Sequence, residues 1–124
     1  MEAFMELASQ WMKDQKIKDL QISYPDEKRV RLKGRWSTTL LWGPNDFKEL
    51  YKDLKCDIEI IAKKDRYQYR FSNFVVQEPG REIQLEIYKS DENKMSKYNE
   101  DFYKRINVEL INTIEGLNRK MSAP

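Results

Sequence analysis

Residues 56–71, Cys56-Asp57-Ile58-Glu59-Ile60-Ile61-Ala62-Lys63-Lys64-Asp65-Arg66-Tyr67-Gln68-Tyr69-Arg70-Phe71, decide the fold. Ile58, Ile60 and Ala62 alternate with Asp57, Glu59 and Lys63, and Tyr67, Tyr69 and Phe71 alternate with Arg66, Gln68 and Arg70. Period-two alternation marks half-buried strands, so the stretch predicts a hairpin turning at Lys64-Asp65. Antiparallel pairing about that turn sets Ala62 against Tyr67, Ile60 against Tyr69 and Ile58 against Phe71, giving one wholly apolar face. Glu59 then opposes Arg70 on a charged face. A slip of one residue would mix the two faces, so the pattern pins the register. Lys64-Asp65 lacks the glycine favoured in two-residue hairpin turns, which points to a four-residue loop from Lys63 to Arg66.

Working outward, residues 2–14 carry Phe4, Leu7, Ala8 and Trp11 at helical spacing, predicting an amphipathic helix that packs on the apolar sheet face. Ile17 to Tyr24 gives a weaker strand pattern, ending at Pro25-Asp26-Glu27-Lys28, whose proline and aspartate suit a turn. From Arg29 to Trp36, Val30, Leu32 and Trp36 alternate with Arg29, Arg31, Lys33 and Arg35. Gly34 falls on the apolar side, where a bulge, a bend or a close approach would require it. Ser37 to Trp42 extends this strand. After Gly43-Pro44, Phe47, Leu50, Tyr51 and Leu54 stand at i, i+3, i+4 and i+7 behind Asp46, with Glu49 three residues on, which predicts a short capped helix.

Downstream, the apolar positions switch from Tyr67, Tyr69 and Phe71 to Phe74 and Val76, so a β-bulge is expected at Ser72-Asn73. Pro79-Gly80 suits a turn, and Ile83, Leu85 and Ile87 alternate as a last strand. Tyr98, Phe102, Ile106, Leu110, Ile114, Leu117 and Met121 then predict a long C-terminal helix. The order implies an α+β fold: an antiparallel sheet of four to five strands with an N-terminal and a long C-terminal helix packed on one face.

The 124 residues suit a single α+β domain, 1–124, and no run approaches the roughly 18 apolar residues of a membrane span. Met1 leads into an amphipathic pattern without basic or apolar leader regions, so the chain is expected to be periplasmic or exported if a signal peptide was trimmed, and otherwise cytoplasmic. Twenty-three basic against 21 acidic residues give a net charge of +2, far from a dedicated polyanion binder. Lone Cys56 and the lack of histidine exclude the usual zinc sites, Ser-His triads and Cys-His pairs, and neither a cofactor nor a metal site is expected.

Three further features are shared with a known group: Ala8-Ser9-Gln10-Trp11 in the first helix, Lys33-Gly34 in a strand, and the block Lys64-Asp65-Arg66-Tyr67-Gln68-Tyr69-Arg70-Phe71-Ser72-Asn73-Phe74. With these the chain resembles a family of uncharacterised bacterial proteins, a domain of unknown function with a TATA-binding-protein-like fold. That resemblance implies a curved antiparallel sheet backed by helices. It also suggests export, and it assigns no catalytic residues.

Function is weighed between a noncatalytic binding or scaffold module of the cell envelope, recognising a protein through a sheet face or the Gly43 to Leu54 insert, and a site for a small apolar ligand or lipid between sheet and helices. For the second, Trp36, Trp42, Tyr67, Tyr69 and Phe71 would line the ligand, although such a row equally makes a core. Nucleic-acid binding through Arg29, Arg31, Lys33, Arg35, Arg66 and Arg70 is disfavoured because the aromatics point to the opposite face. The pair Asp57 and Glu59, set among cations, suits salt bridges better than acid catalysis, so no enzyme is expected.

Overall fold

The computed structural model describes residues 2–44, 49–85 and 96–122. Helix α1 (Glu2–Asp14) is followed by strands β1 (Lys18–Asp26), β2 (Arg29–Pro44), β3 (Glu49–Ala62), β4 (Tyr67–Glu78) and β5 (Arg81–Gln84), then by helix α2 (Ser96–Met121). The five strands form one antiparallel sheet in sequence order, and the arrangement is α+β.

The central hairpin has the register its alternation predicts: Ala62↔Tyr67, Ile60↔Tyr69, Ile58↔Phe71 and Glu59↔Arg70. Its four-residue loop is closed by Lys63 N–H donating to Arg66 O at 2.8 Å. Farther along, Asp57 pairs with Ser72 but Lys55 with Val75, leaving Asn73 and Phe74 opposite Cys56. This bulge re-phases β4. Asn73 takes the left-handed conformation (φ 56) that asparagine tolerates, and its Nδ2 donates to Asp57 Oδ2 at 2.7 Å.

Helix α1 buries Ala8, Trp11 and Met12 and stops in a Schellman turn. Ile17 N–H donates to Met12 O and Lys16 N–H to Lys13 O, both at 3.0 Å, and Lys16 has φ 57 where glycine is usual. The connector then runs over Gly34, where a Cβ would lie 2.2 Å from Ile17 Cγ2. Gly34 is therefore fixed by the close approach of the α1–β1 connector. Between β4 and β5, Gly80 turns with φ 78 behind Pro79, as a type II turn demands. β5 is short, and the part of the expected last strand around Ile87 lies outside the described residues.

Two expectations differ from the structure. β1 runs on through Pro25 and Asp26, with Asp26 paired to Arg29, so the turn is only Glu27-Lys28. Residues 49–54 are not helical but begin β3, with Leu50↔Gly43, Tyr51↔Leu41 and Leu54↔Thr38; Asp46 and Phe47 lie outside the described residues. Leu50 and Leu54 are four apart, a spacing that shares a face on a strand as well as on a helix. A short isolated helix is marginal below about 12 residues, whereas the ladder continues from an already formed hairpin.

The apolar face packs under both helices. Val30, Leu32 and Trp36 of β2, Leu54, Cys56, Ile58, Ile60 and Ala62 of β3, and Val76 of β4 are buried with Ala8, Trp11 and Met12 of α1 and Phe102, Ile106, Leu117 and Met121 of α2. Polar contacts orient α2 across the sheet, among them Trp42 Nε1 donating to buried Asn99 Oδ1 at 2.9 Å and Tyr67 OH donating to Asn118 Oδ1 at 2.7 Å near its far end.

Candidate functional site

The face without helices carries a charged lattice. Glu59, with only 17% of its side chain exposed, lies 3.4 Å from Arg31, 3.9 Å from Lys33 and 3.5 Å from Arg70. Arg35 stands 3.4 Å from Asp57 and 3.7 Å from Glu82. The Arg35–Glu82 pair joins β2 to β5 across two intervening strands, which a flat sheet would hold about 14 Å apart. The sheet therefore curls toward its charged face. A cleft of about 390 Å³ on this face is bordered by Lys33, Arg35 and Arg70 and equally by Asp19, Asp57 and Glu59. Equal numbers of opposite charges leave little field for a polyanion. Of the other cations, Arg29 pairs with Asp26 at 2.7 Å, while Arg66 is exposed in the hairpin loop. Asp26 also accepts from Lys28 N–H at 2.8 Å, and that bond, with the Arg29 guanidinium second, holds its carboxyl below the usual range.

The five aromatic side chains of the expected ligand lining fall into three sets of ring contacts. Trp36 meets Phe71 edge-on at 5.9 Å between ring centroids, and Phe71 meets Tyr69 at 6.4 Å. Tyr67 packs instead on Phe4 at 5.7 Å, and burial followed by neighbouring Tyr69 pushes its hydroxyl up from its ordinary pKa. Trp42 packs on Tyr98 at 5.5 Å, with the Lys52 ammonium 5.0 Å from its ring. Trp36 and Trp42 are buried core, whereas Tyr69 is 39% exposed at the open end of its row.

A third region was legible only as a strand extension and a helix. β1 pairs with β2 no farther than Arg35, and the last β3–β4 pair is Asp53↔Gln77, so the β2–β3 hairpin projects beyond both neighbours. Arg105 of α2 donates to Leu41 O at 3.1 Å and more weakly to Trp42 O at 3.5 Å, and Tyr98 covers Gly43, covering part of this edge. Among the described residues, no strand pairs with the β1-side edge at Ser37–Leu40. Leu41 and Tyr51 are paired across the hairpin on the charged side of the sheet, and Tyr51 is 56% exposed. There the ion-pair lattice gives way to an apolar and aromatic patch beside that edge.

Cys56 is buried in the core, and burial, with nearby Asp57 adding to it, pushes its thiol up to about 12. Among the described residues no group of three or more histidine, cysteine, aspartate or glutamate side chains is placed to hold a metal, and no helix is long and apolar enough to cross a membrane.

A five-stranded meander, curled toward a charged face and closed on its apolar face by two helices, defines the class of fold. It is the fold of a solved bacterial protein of unknown function: the chain is similar to a DUF4468 family protein from Bacteroides ovatus, determined by crystallography at 1.49 Å, with a TM-score of 0.58 and 13% identity over 99% of this chain and 78% of that one. No protein-family model matches the chain, and no curated protein does.

Proposed function

We propose that the chain is a noncatalytic binding module of the bacterial cell envelope that recognises another protein through the projecting end of its β2–β3 hairpin. The observation that carries this reading is the exposed Tyr51, paired with Leu41 beside the Ser37–Leu40 edge, with which no strand among the described residues pairs on the β1 side. An open edge offers main-chain hydrogen bonds to an incoming strand, and an adjacent aromatic patch supplies selectivity. The envelope setting follows from the family resemblance, whose relatives are commonly exported, and on the same resemblance we assign the arrangement as TATA-binding-protein-like.

A second reading, a small apolar ligand or lipid between sheet and helices, is favoured by the exposure of Tyr69 beside half-buried Phe71. Native mass spectrometry after mild purification separates the two. A retained polypeptide that is lost from a Leu41→Asp, Tyr51→Asp variant supports protein recognition. A stoichiometric small-molecule adduct that is lost on Tyr69→Ala replaces it with the second reading.

A further inference from the structure

The outward side of α2 has a symmetry that folding alone does not require. Val108 and Ile111 are 58% and 55% exposed, side by side on the helix. Four residues out from them stand Lys104 on one side and Glu115 on the other, and four farther out stand Glu100 and Arg119. All four are exposed. Within the chain, Lys104 Nζ lies 3.8 Å from Glu100 Oε1, a solvated i,i+4 pair on the first half of the helix. The stripe thus runs acid, base, apolar, apolar, acid, base, and the charges invert about its own midpoint.

We propose that α2 docks antiparallel on the α2 of a second copy of this chain, about a twofold axis through the midpoint between Val108 and Ile111. In that arrangement Val108 of each copy meets Ile111 of the other. Lys104 then faces Glu115, and Glu100 faces Arg119, twice each by symmetry. The spacing of three and four residues keeps these side chains on one stripe, the geometry of a helix pair crossing at about 20°. A parallel pair would set each charge against its own kind, so only the antiparallel arrangement is complementary. With two apolar residues per copy at its centre, the contact belongs to the small, concentration-dependent class of interfaces. It leaves the β2–β3 hairpin uninvolved and stands independently of the function proposed above.

The first test is sedimentation across micromolar to millimolar protein. The wild-type chain is expected to pass from monomer to dimer, with Lys104→Glu or Glu115→Lys alone weakening association by about tenfold and the two together restoring it. Restoration by the double reversal is a result that lost folding would not give, and helical circular dichroism monitors folding in each variant. The second test is cross-linking. Mixed Lys104→Cys and Glu115→Cys proteins should form a heterodisulfide, whereas Lys104→Cys alone should not, because its two copies would sit about 16 Å apart along the pair. A chain that stays monomeric at every concentration, a dimer insensitive to Val108→Glu and Ile111→Glu, or Lys104→Cys pairing with itself would each overturn the proposal.

Discussion

Arg35 on β2 and Glu82 on β5 stand 3.7 Å apart although β3 and β4 lie between their strands. The curl that brings them together also encloses Glu59 among Arg31, Lys33 and Arg70. Glu59 is the more buried centre, so Glu59→Gln should lower stability by about 1–2 kcal/mol, read as a shift in urea midpoint at unchanged slope. Glu82→Gln, at a half-exposed pair, should cost less than about 0.5 kcal/mol. Equal effects of the two would show that the lattice has no centre.

Self-neutralisation has a functional corollary. Mixed-sequence DNA and RNA should fail to bind with submicromolar affinity even at roughly 50 mM salt, where counterion release most favours association. Fluorescence anisotropy at low and moderate salt measures this, and tight binding abolished by Arg31→Glu and Lys33→Glu would contradict it.

Two left-handed residues make opposite predictions. Lys16 occupies the glycine position of the α1 Schellman turn, so Lys16→Gly should raise stability by about 0.5–1 kcal/mol. Asn73 is held both by its conformation and by its bond to Asp57. Asn73→Val should cost roughly 2 kcal/mol, and Asn73→Gly should recover part of that loss. Thermal or urea unfolding of the three variants checks the order.

Cys56 should be silent toward alkylating reagents in the folded chain. Its thiol pKa is raised from 9.0 to about 12, so the folded state holds the proton that the unfolded state gives up. Stability from this group is therefore complete below about pH 9 and declines as pH rises toward 12. Iodoacetamide labelling that follows global unfolding is the expected result. Fast labelling without denaturant would place Cys56 outside the core.

The parts legible in the sequence are those where the chain's own periodicity leaves one solution. The 56–71 hairpin, its loop and the re-phasing at Asn73 follow from alternation, because any other register buries charge. Leu50 and Leu54 misled because a spacing of four satisfies both a helix and a strand; only Tyr51 separates them, and in β3 it turns to the opposite face. Curvature was expected from the family resemblance and not from periodicity; its direction, toward the charged face, is a property of four strands at once and shows where Arg35 meets Glu82. The aromatic residues shared an apolar pattern, yet strand length set Trp42 beside Tyr98 and apart from Trp36 and Phe71. The projecting hairpin depended on where β1 and β4 stop pairing, which local pattern does not encode.

Recognition of a protein through that hairpin is tested most directly by placing a photo-crosslinking amino acid at Thr39 or Tyr51, and separately at Lys33 or Arg70, in cells that produce the chain. A discrete protein adduct is expected from Thr39 and Tyr51, on the β2 edge and its aromatic patch, and none from the ion-paired positions. Adducts from Lys33 and Arg70 alone would contradict it, because they would make the charged concave face the recognition surface.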